Sequence, residues 1–145
     1  MAELEDNTKF YLIDYEYGWW NPRYYDLGNY LNEWICDNAH PAHPGIFYYY
    51  SNWPTDDEIE AITREYWTLY TGGKQEWSLK KKECSKALTQ TKSSMILNNF
   101  YWAVWAIMML PEEDETDPDG YTWEFISGRA KMHHMCVEQF GFGAI

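Results

Sequence analysis

Apolar residues along this chain recur mostly at helical spacing, with one exception near the front. Phe10, Tyr11, Leu12 and Ile13 form an unbroken apolar run that stops at Asp14, the pattern of a short buried strand. Residues 15–25 are an aromatic loop holding Gly18, Asn21 and Pro22, residue types suited to turns. Asp26 then reads as an N-cap that opens a helix of about ten residues. At about 100° per residue, Leu27, Leu31, Trp34 and Ile35 fall on one apolar stripe. Asp26, Asn29 and Glu33 gather on a separate, narrow polar stripe, which a solvated face would equally produce.

Residues 40–54 read as loop, with the segment His40-Pro41-Ala42-His43-Pro44 and the cluster Tyr48-Tyr49-Tyr50. Thr55 and Glu58 carry the spacing of a capping box, so a second helix starts there. Its core face is expected to hold Ile59, Ile62, Tyr66 and Leu69, and Gly72-Gly73 should stop it. A long helical pattern covers residues 78–110, with Ser93-Ser94 as a bend and Pro111 as its end. Residues 112–119 form an acidic loop, and a last helix covers about residues 121–139, closed by Gly141. Phe125, Arg129, Met132 and Cys136 share its inner face. With no internal repeat and no low-complexity linker, residues 1–145 read as a single domain, mainly α with a small β element at the front.

Composition narrows the partners. The 145 residues include 23 acidic and 11 basic side chains, a formal net charge of −12, which repels phosphate backbones and argues against nucleic acid. A cationic ligand fits that charge better. Aromatics reach 19%, with 9 Trp and 13 Tyr, more than a core alone requires, so some should line a surface or pocket. Cys36, Cys84 and Cys136 are odd in number and widely spaced, unlike a disulfide framework. The acidic N-terminal segment does not resemble a signal peptide. The longest apolar run, residues 100–110, falls short of the roughly 20 residues a membrane span needs. A cytoplasmic setting without a membrane span is the expectation.

Three groups of residues could carry chemistry. Asp14 and Glu16 leave the end of the strand together, and paired carboxylates suit a hard cation such as Mg²⁺; spacing alone equally allows a solvated acidic turn. Trp102 and Trp105 lie three apart on one helix side and could bind a cation through their π faces, or simply pack in a core. His40 with His43, and His133 or His134 with Cys136, lack a four-ligand zinc set and read as loop and surface residues. The lysines at 74, 80, 81, 82, 86 and 92 form a basic band that reads as a solvated helix face. No Gly-x-Ser-x-Gly elbow and no Cys-x-x-Cys pair occurs.

The segment LIDYEYGWWNPRYYDLGNYLNEW, residues 12–34, closely resembles the choline and ethanolamine kinase family. The matching residues are Ile13, Asp14, Tyr15, Glu16, Tyr17, Asn21, Tyr25, Asp26, Leu27, Gly28, Asn29, Asn32, Glu33 and Trp34. Phe100-Tyr101-Trp102-Ala103-Val104-Trp105 is similar to the family's late-helix aromatic block, and Phe125 with Arg129 to its Tyr-x-x-x-Arg. The fold this resemblance implies is the C-terminal, lower lobe of the protein-kinase-like fold. It implies ATP as co-substrate, Mg²⁺ as cofactor and choline or ethanolamine as acceptor, in phospholipid precursor synthesis. Asp14 becomes the catalytic magnesium ligand, with Glu16 supporting a second metal or its waters. Glu33 adds negative charge near the substrate's ammonium group, and Trp102 and Trp105 wall it, with Tyr17 and Phe125 among the substrate-binding residues. Asp26 and Asn29 are structural supports.

The chain also departs from that family. A complete kinase places its base on a His-x-Asp loop with an Asn several residues later. His40, His43, His133 and His134 are followed two positions on by Ala42, Gly45, Met135 and Cys136, so no such loop is present. The nucleotide lobe with its glycine-rich loop is missing as well, and members of the family are more than twice as long. Asn38 stands where choline kinases often place a Tyr, and Thr122 replaces a cage Tyr beside Tyr121 and Trp123. The leading expectation is therefore the C-terminal part of a choline/ethanolamine kinase, inactive without its base. The alternatives are a non-catalytic binding or interaction module derived from one, and another small-molecule phosphotransferase of that superfamily. Its partners would be the missing N-terminal part of the kinase or a partner chain. A homo-oligomer is the other expectation, since the unpaired apolar strand at residues 10–13 is a template for self-pairing.

Overall fold

The computed structural model describes residues 18–74, 76–77, 80–110 and 120–141. The strand expected at residues 10–13, the acids Asp14 and Glu16, Tyr17, and the acidic loop at 112–119 lie outside the described residues. What is described is mainly helical. The order is α1 (Tyr25–Glu33), β1 (Cys36–Asp37), β2 (Phe47–Tyr48), a short 3-10 turn (Tyr50–Asn52), α2 (Asp56–Tyr70), α3 (Lys81–Met108) and α4 (Tyr121–Phe140).

α3 is the central element, with α1, α2 and α4 all packed against it. It runs unbroken through Ser93-Ser94, where a bend was expected, and begins at Lys81, later than the pattern suggested. Ser94 is buried because α1 crosses it closely: a Cβ on Gly28 would lie 2.7 Å from the Ser94 carbonyl carbon and the Met95 nitrogen. Leu31, Ile59, Met95 and Cys136 join α1, α2, α3 and α4 in one buried cluster. A second cluster, Tyr24, Trp67 and Ala87, seats α2 on the first half of α3.

Local chemistry accounts for the helix ends. α1 starts two residues earlier than expected, with Tyr24 rather than Asp26 at the N-cap and no side-chain cap bond. The Pro22 turn does the work of a cap here, since the Tyr25 N–H bonds the Pro22 carbonyl at 2.9 Å. Asp26 is thus corrected from N-cap to first-turn acid, where it complements the helix dipole. α2 has the capping box that Thr55 and Glu58 promised. It ends before Gly72 and Gly73, which take φ of 61° and 70°, a region favouring glycine. Of the expected core face, Ile59 is buried and Ile62 and Tyr66 pack half-buried, but Leu69 is 72% exposed, and Thr63 and Trp67 point inward as well. Thr63 tolerates burial because its hydroxyl bonds the Ile59 carbonyl (2.7 Å) and Thr91 Oγ1 (3.1 Å).

The loop expected at residues 40–54 contains β2, which pairs antiparallel with β1 in the register Cys36 to Tyr48 and Asp37 to Phe47. Two-residue strands are too short to show an alternation in sequence. The lysine band is exposed at 74, 80, 81, 82 and 86, as a solvated face should be. Lys92 instead reaches Asp56 at 2.7 Å and ties α3 to the start of α2. No helix among the described residues is long and apolar enough to cross a membrane.

Candidate functional site

The second half of α3 turns Trp102 and Trp105 toward the first turns of α4. Their rings meet edge to face, 5.4 Å apart at 80°. Trp105 makes a similar contact with Phe125 at 6.3 Å, and Tyr121 stacks on the other side of that run, 6.2 Å from Phe125. Beneath them lies a buried floor of Ile35, Ile46, Tyr48, Ala106 and Met132. Trp102 and Trp105 are only half-buried, so their rings are partly in the core and partly in solvent. Half-exposed π faces set at angles to one another can hold a cation that has no N–H to donate.

An ion pair stands beside these rings. Arg129, on α4 and 2% exposed, donates to Glu33 Oε1 at 2.6 Å and to Asn99 Oδ1 at 3.5 Å. Its guanidinium also lies 4.9 Å above the Phe125 ring, so one face of that ring already holds an internal cation. Asn38 donates to the second Glu33 oxygen at 3.3 Å. The Glu33 charge is therefore largely balanced by Arg129, and the pair presents little net field to its surroundings. Next to it, burial pushes the Cys36 thiol up to about 11, and the Cys136 thiol of α4 up to about 12. Both stay protonated at neutral pH, which fits structural rather than nucleophilic cysteines. Burial also raises the Tyr48 phenol, whose O–H donates to the Phe125 carbonyl at 3.2 Å.

Polar side chains join α1 to α3 below the rings. Asn32 Nδ2 donates to Asn98 Oδ1 (3.0 Å) and to the Met95 carbonyl (3.0 Å). Asn98 Nδ2 donates in turn to Asn29 Oδ1 (2.8 Å), which also accepts the Trp102 indole N–H (3.0 Å). Asn32, Asn98 and Asn99 are buried, and helical periodicity gave no reason to single them out. A sequence signal did exist: Asn98 and Asn99 interrupt an apolar run on a buried helix, which calls for a partner.

The residues singled out from sequence thus divide three ways. Glu33, Trp102, Trp105 and Phe125 come together through Arg129 and the ring contacts. Asn29 supports that group from α1, while Asp26 sits exposed on the first turn of the same helix. Asp14, Glu16 and Tyr17 are not described. Tyr48 and Tyr121, which composition did not distinguish, complete the aromatic group. Among the described residues no three His, Cys, Asp or Glu gather as metal ligands. His133 Nδ1 lies 3.1 Å from the Ile96 carbonyl, and exposed His134 pairs with Glu138 one turn on.

Fold and site together define a mainly helical module that sets an aromatic group beside a buried arginine–carboxylate pair. A family model described as choline/ethanolamine kinase matches residues 1–134, and the chain belongs to that family. It is 31% identical over 107 residues to a probable ethanolamine kinase of Arabidopsis thaliana, covering 72% of this chain and 24% of that protein. A human choline/ethanolamine kinase is 27% identical over 111 residues, covering 74% and 28%. A choline kinase of Saccharomyces cerevisiae is 28% identical over 109 residues, covering 73% and 18%. The chain thus spans 18–28% of the length of these relatives.

Proposed function

We propose that this chain supplies the metal-binding carboxylates and the ammonium-binding aromatic group of a kinase acting on choline or ethanolamine. The reading places it in the C-terminal part of a protein-kinase-like lower lobe, working with an N-terminal part that binds ATP. The edge-to-face pair of Trp102 and Trp105, half-buried beside Phe125, is the observation that carries it. A substrate ammonium would rest against these rings, held by cation–π attraction. Because Arg129 balances Glu33, the rings rather than the carboxylate provide most of the binding. Asp14 and Glu16 have the oxygen donors a hard cation takes, and they would hold Mg²⁺. When bound, Mg²⁺ neutralises the charge on the phosphates. The hydroxyl proton of the acceptor passes to a base that these 145 residues do not include, since they contain no His-x-Asp. Free Cys36, Cys84 and Cys136 fit a reducing, cytoplasmic setting.

Substitution of the tryptophans in an active kinase carrying these residues tests the reading. Trp105→Ala is expected to raise KM for choline roughly thirtyfold, the equivalent of about 2 kcal/mol for a desolvated cation–π contact, with KM for ATP unchanged. Trp105→Phe should keep part of the binding, and Trp105→Leu less than Phe. Equal KM values for the Phe and Leu variants, with a shared fall in Tm, would make the ring a packing residue and defeat the proposal.

A further inference from the structure

We propose that Asn29 is a positioning residue, setting the plane of the Trp102 indole through a buried relay of amides. The proposal rests on Trp102 being part of the ammonium site. Asn29 sits on α1, whereas Trp102 and Asn98 lie on α3, one helical turn apart. The Asn29 carbonyl oxygen accepts from both, at 3.0 Å from Trp102 Nε1 and 2.8 Å from Asn98 Nδ2. An amide oxygen has two lone pairs, and here each has a donor.

The relay has a fixed sense. Asn98 Oδ1 accepts from Asn32 Nδ2, and Asn32 Nδ2 also donates to the Met95 carbonyl. Turning the Asn98 amide over would set its NH₂ against the NH₂ of Asn32 and its oxygen against the oxygen of Asn29. Asn32 and Asn98 are 0% and 1% exposed, so water does not compensate such a reversal. The Asn29 oxygen is thereby held facing Trp102. One edge of the indole is tied by this bond, and its flank meets Trp105 at 80°. Trp has two side-chain torsions, and two contacts in different directions restrain both. A cation reads the direction of a π face, so a ring held in one plane binds it without first being ordered.

The test uses an active kinase carrying these residues, with choline as the probe. Asn29→Leu removes the acceptor and should raise KM for choline roughly fivefold, about one ordinary hydrogen bond, while KM for ATP holds. Asn29→Asp keeps the acceptor and should restore most of that loss. Asn29→Ala provides the same comparison at smaller volume should the leucine not fold. The Trp102 indole N–H resonance, assigned by its loss in Trp102→Phe, should exchange faster with solvent in Asn29→Leu and recover in Asn29→Asp. In the Trp102→Phe background, which has no indole N–H, Asn29→Leu should leave KM for choline where Trp102→Phe put it. An unchanged indole resonance and KM in Asn29→Leu would overturn the positioning role. So would a further KM rise in the Trp102→Phe background, since it would show Asn29 acting by another route. An unchanged KM for choline in Trp102→Ala would instead overturn the ammonium site, and the indole resonance would still report whether Asn29 holds the ring.

Discussion

Among the described residues two glycines stand inside helices, and each is there to let something else come close. Gly28 of α1 faces backbone: an added Cβ would lie 2.7 Å from the Met95 nitrogen, the Ser94 carbonyl carbon and the Ser94 Cβ. Gly128 of α4 faces a side chain, and an added Cβ would overlap the ring of Tyr48. The first close approach builds the scaffold by bringing two helix axes together. The second shapes the candidate site, since Tyr48 packs in one cluster with Phe125 and Trp105. A backbone inside a helix cannot move without shifting the whole helix, whereas an aromatic ring can turn about two torsions. Equal substitutions at the two glycines should therefore have unequal effects.

The larger effect belongs to Gly28→Ala. Overpacking against a helix backbone costs up to about 3 kcal/mol, and removing a helical glycine returns less than about 1 kcal/mol. The expected net loss is about 2 kcal/mol, seen as a fall of roughly 6 °C in Tm. Neighbouring side-chain truncations should not rescue it, because the obstacle is main chain. A loss below that of Gly128→Ala would break the comparison, since it would mean that the α1–α3 crossing yields easily.

Gly128→Ala should destabilise by about 1–2 kcal/mol, from the displaced ring and the strained Tyr48 bond to the Phe125 carbonyl. Unlike Gly28→Ala, it has a partner that relieves it: Gly128→Ala with Tyr48→Ala should lose less than the sum of the single changes. Thermal melts of the four members of that cycle measure the difference. Strict additivity would show that Tyr48 does not obstruct position 128.

How legible these features were in sequence depended on how local their cause is. The capping box at Thr55 and Glu58 is complete within four residues, and the structure has it. The apolar stripe of α1 placed Leu31 and Ile35 in the core, where both are fully buried. The face of α2 came out rotated, because Thr63 is buried by a bond to Thr91 on another helix and polarity alone made it look exposed. The amide at 98 went unmarked and that at 32 was marked only by the motif, for the same reason: their partners lie 63 to 69 positions away in the chain. For the candidate site, Trp102, Trp105, Phe125 and Glu33 were named from residue types and motif. Their grouping depends on Arg129, which lies 96 positions from Glu33 and links the carboxylate to the rings. Spacing marked Arg129 as an inner-face residue but could not say what it meets there.

The smallest expected effect separates scaffold from site most cleanly, because it arises on the helix farthest from the rings in composition of contacts. Among the described residues, α2 contributes none to the aromatic group. Thr55 Oγ1 accepts the Glu58 N–H at 3.3 Å, and the Glu58 carboxylate accepts the Thr55 N–H and O–H, both at 2.8 Å. Thr55→Ala removes the side-chain half of this box, and caps of this kind contribute about 1 kcal/mol. Tm should fall by roughly 3 °C, while in an active kinase carrying these residues KM for choline should stay where it is. The bonds from Thr55 also hold the Glu58 carboxyl below its ordinary value of 4.5. A carboxyl whose folded value is depressed contributes stability above its unfolded value and loses it as pH falls through the folded one. Thr55→Ala should therefore lose less on acidification below pH 4.5 than the unsubstituted chain, since part of that contribution is already gone. Melting both proteins between about pH 3 and 7 checks this. A KM change for choline in Thr55→Ala of that kinase would show that α2 reaches the rings through α3, and the division between scaffold and site would fail at its most distant point.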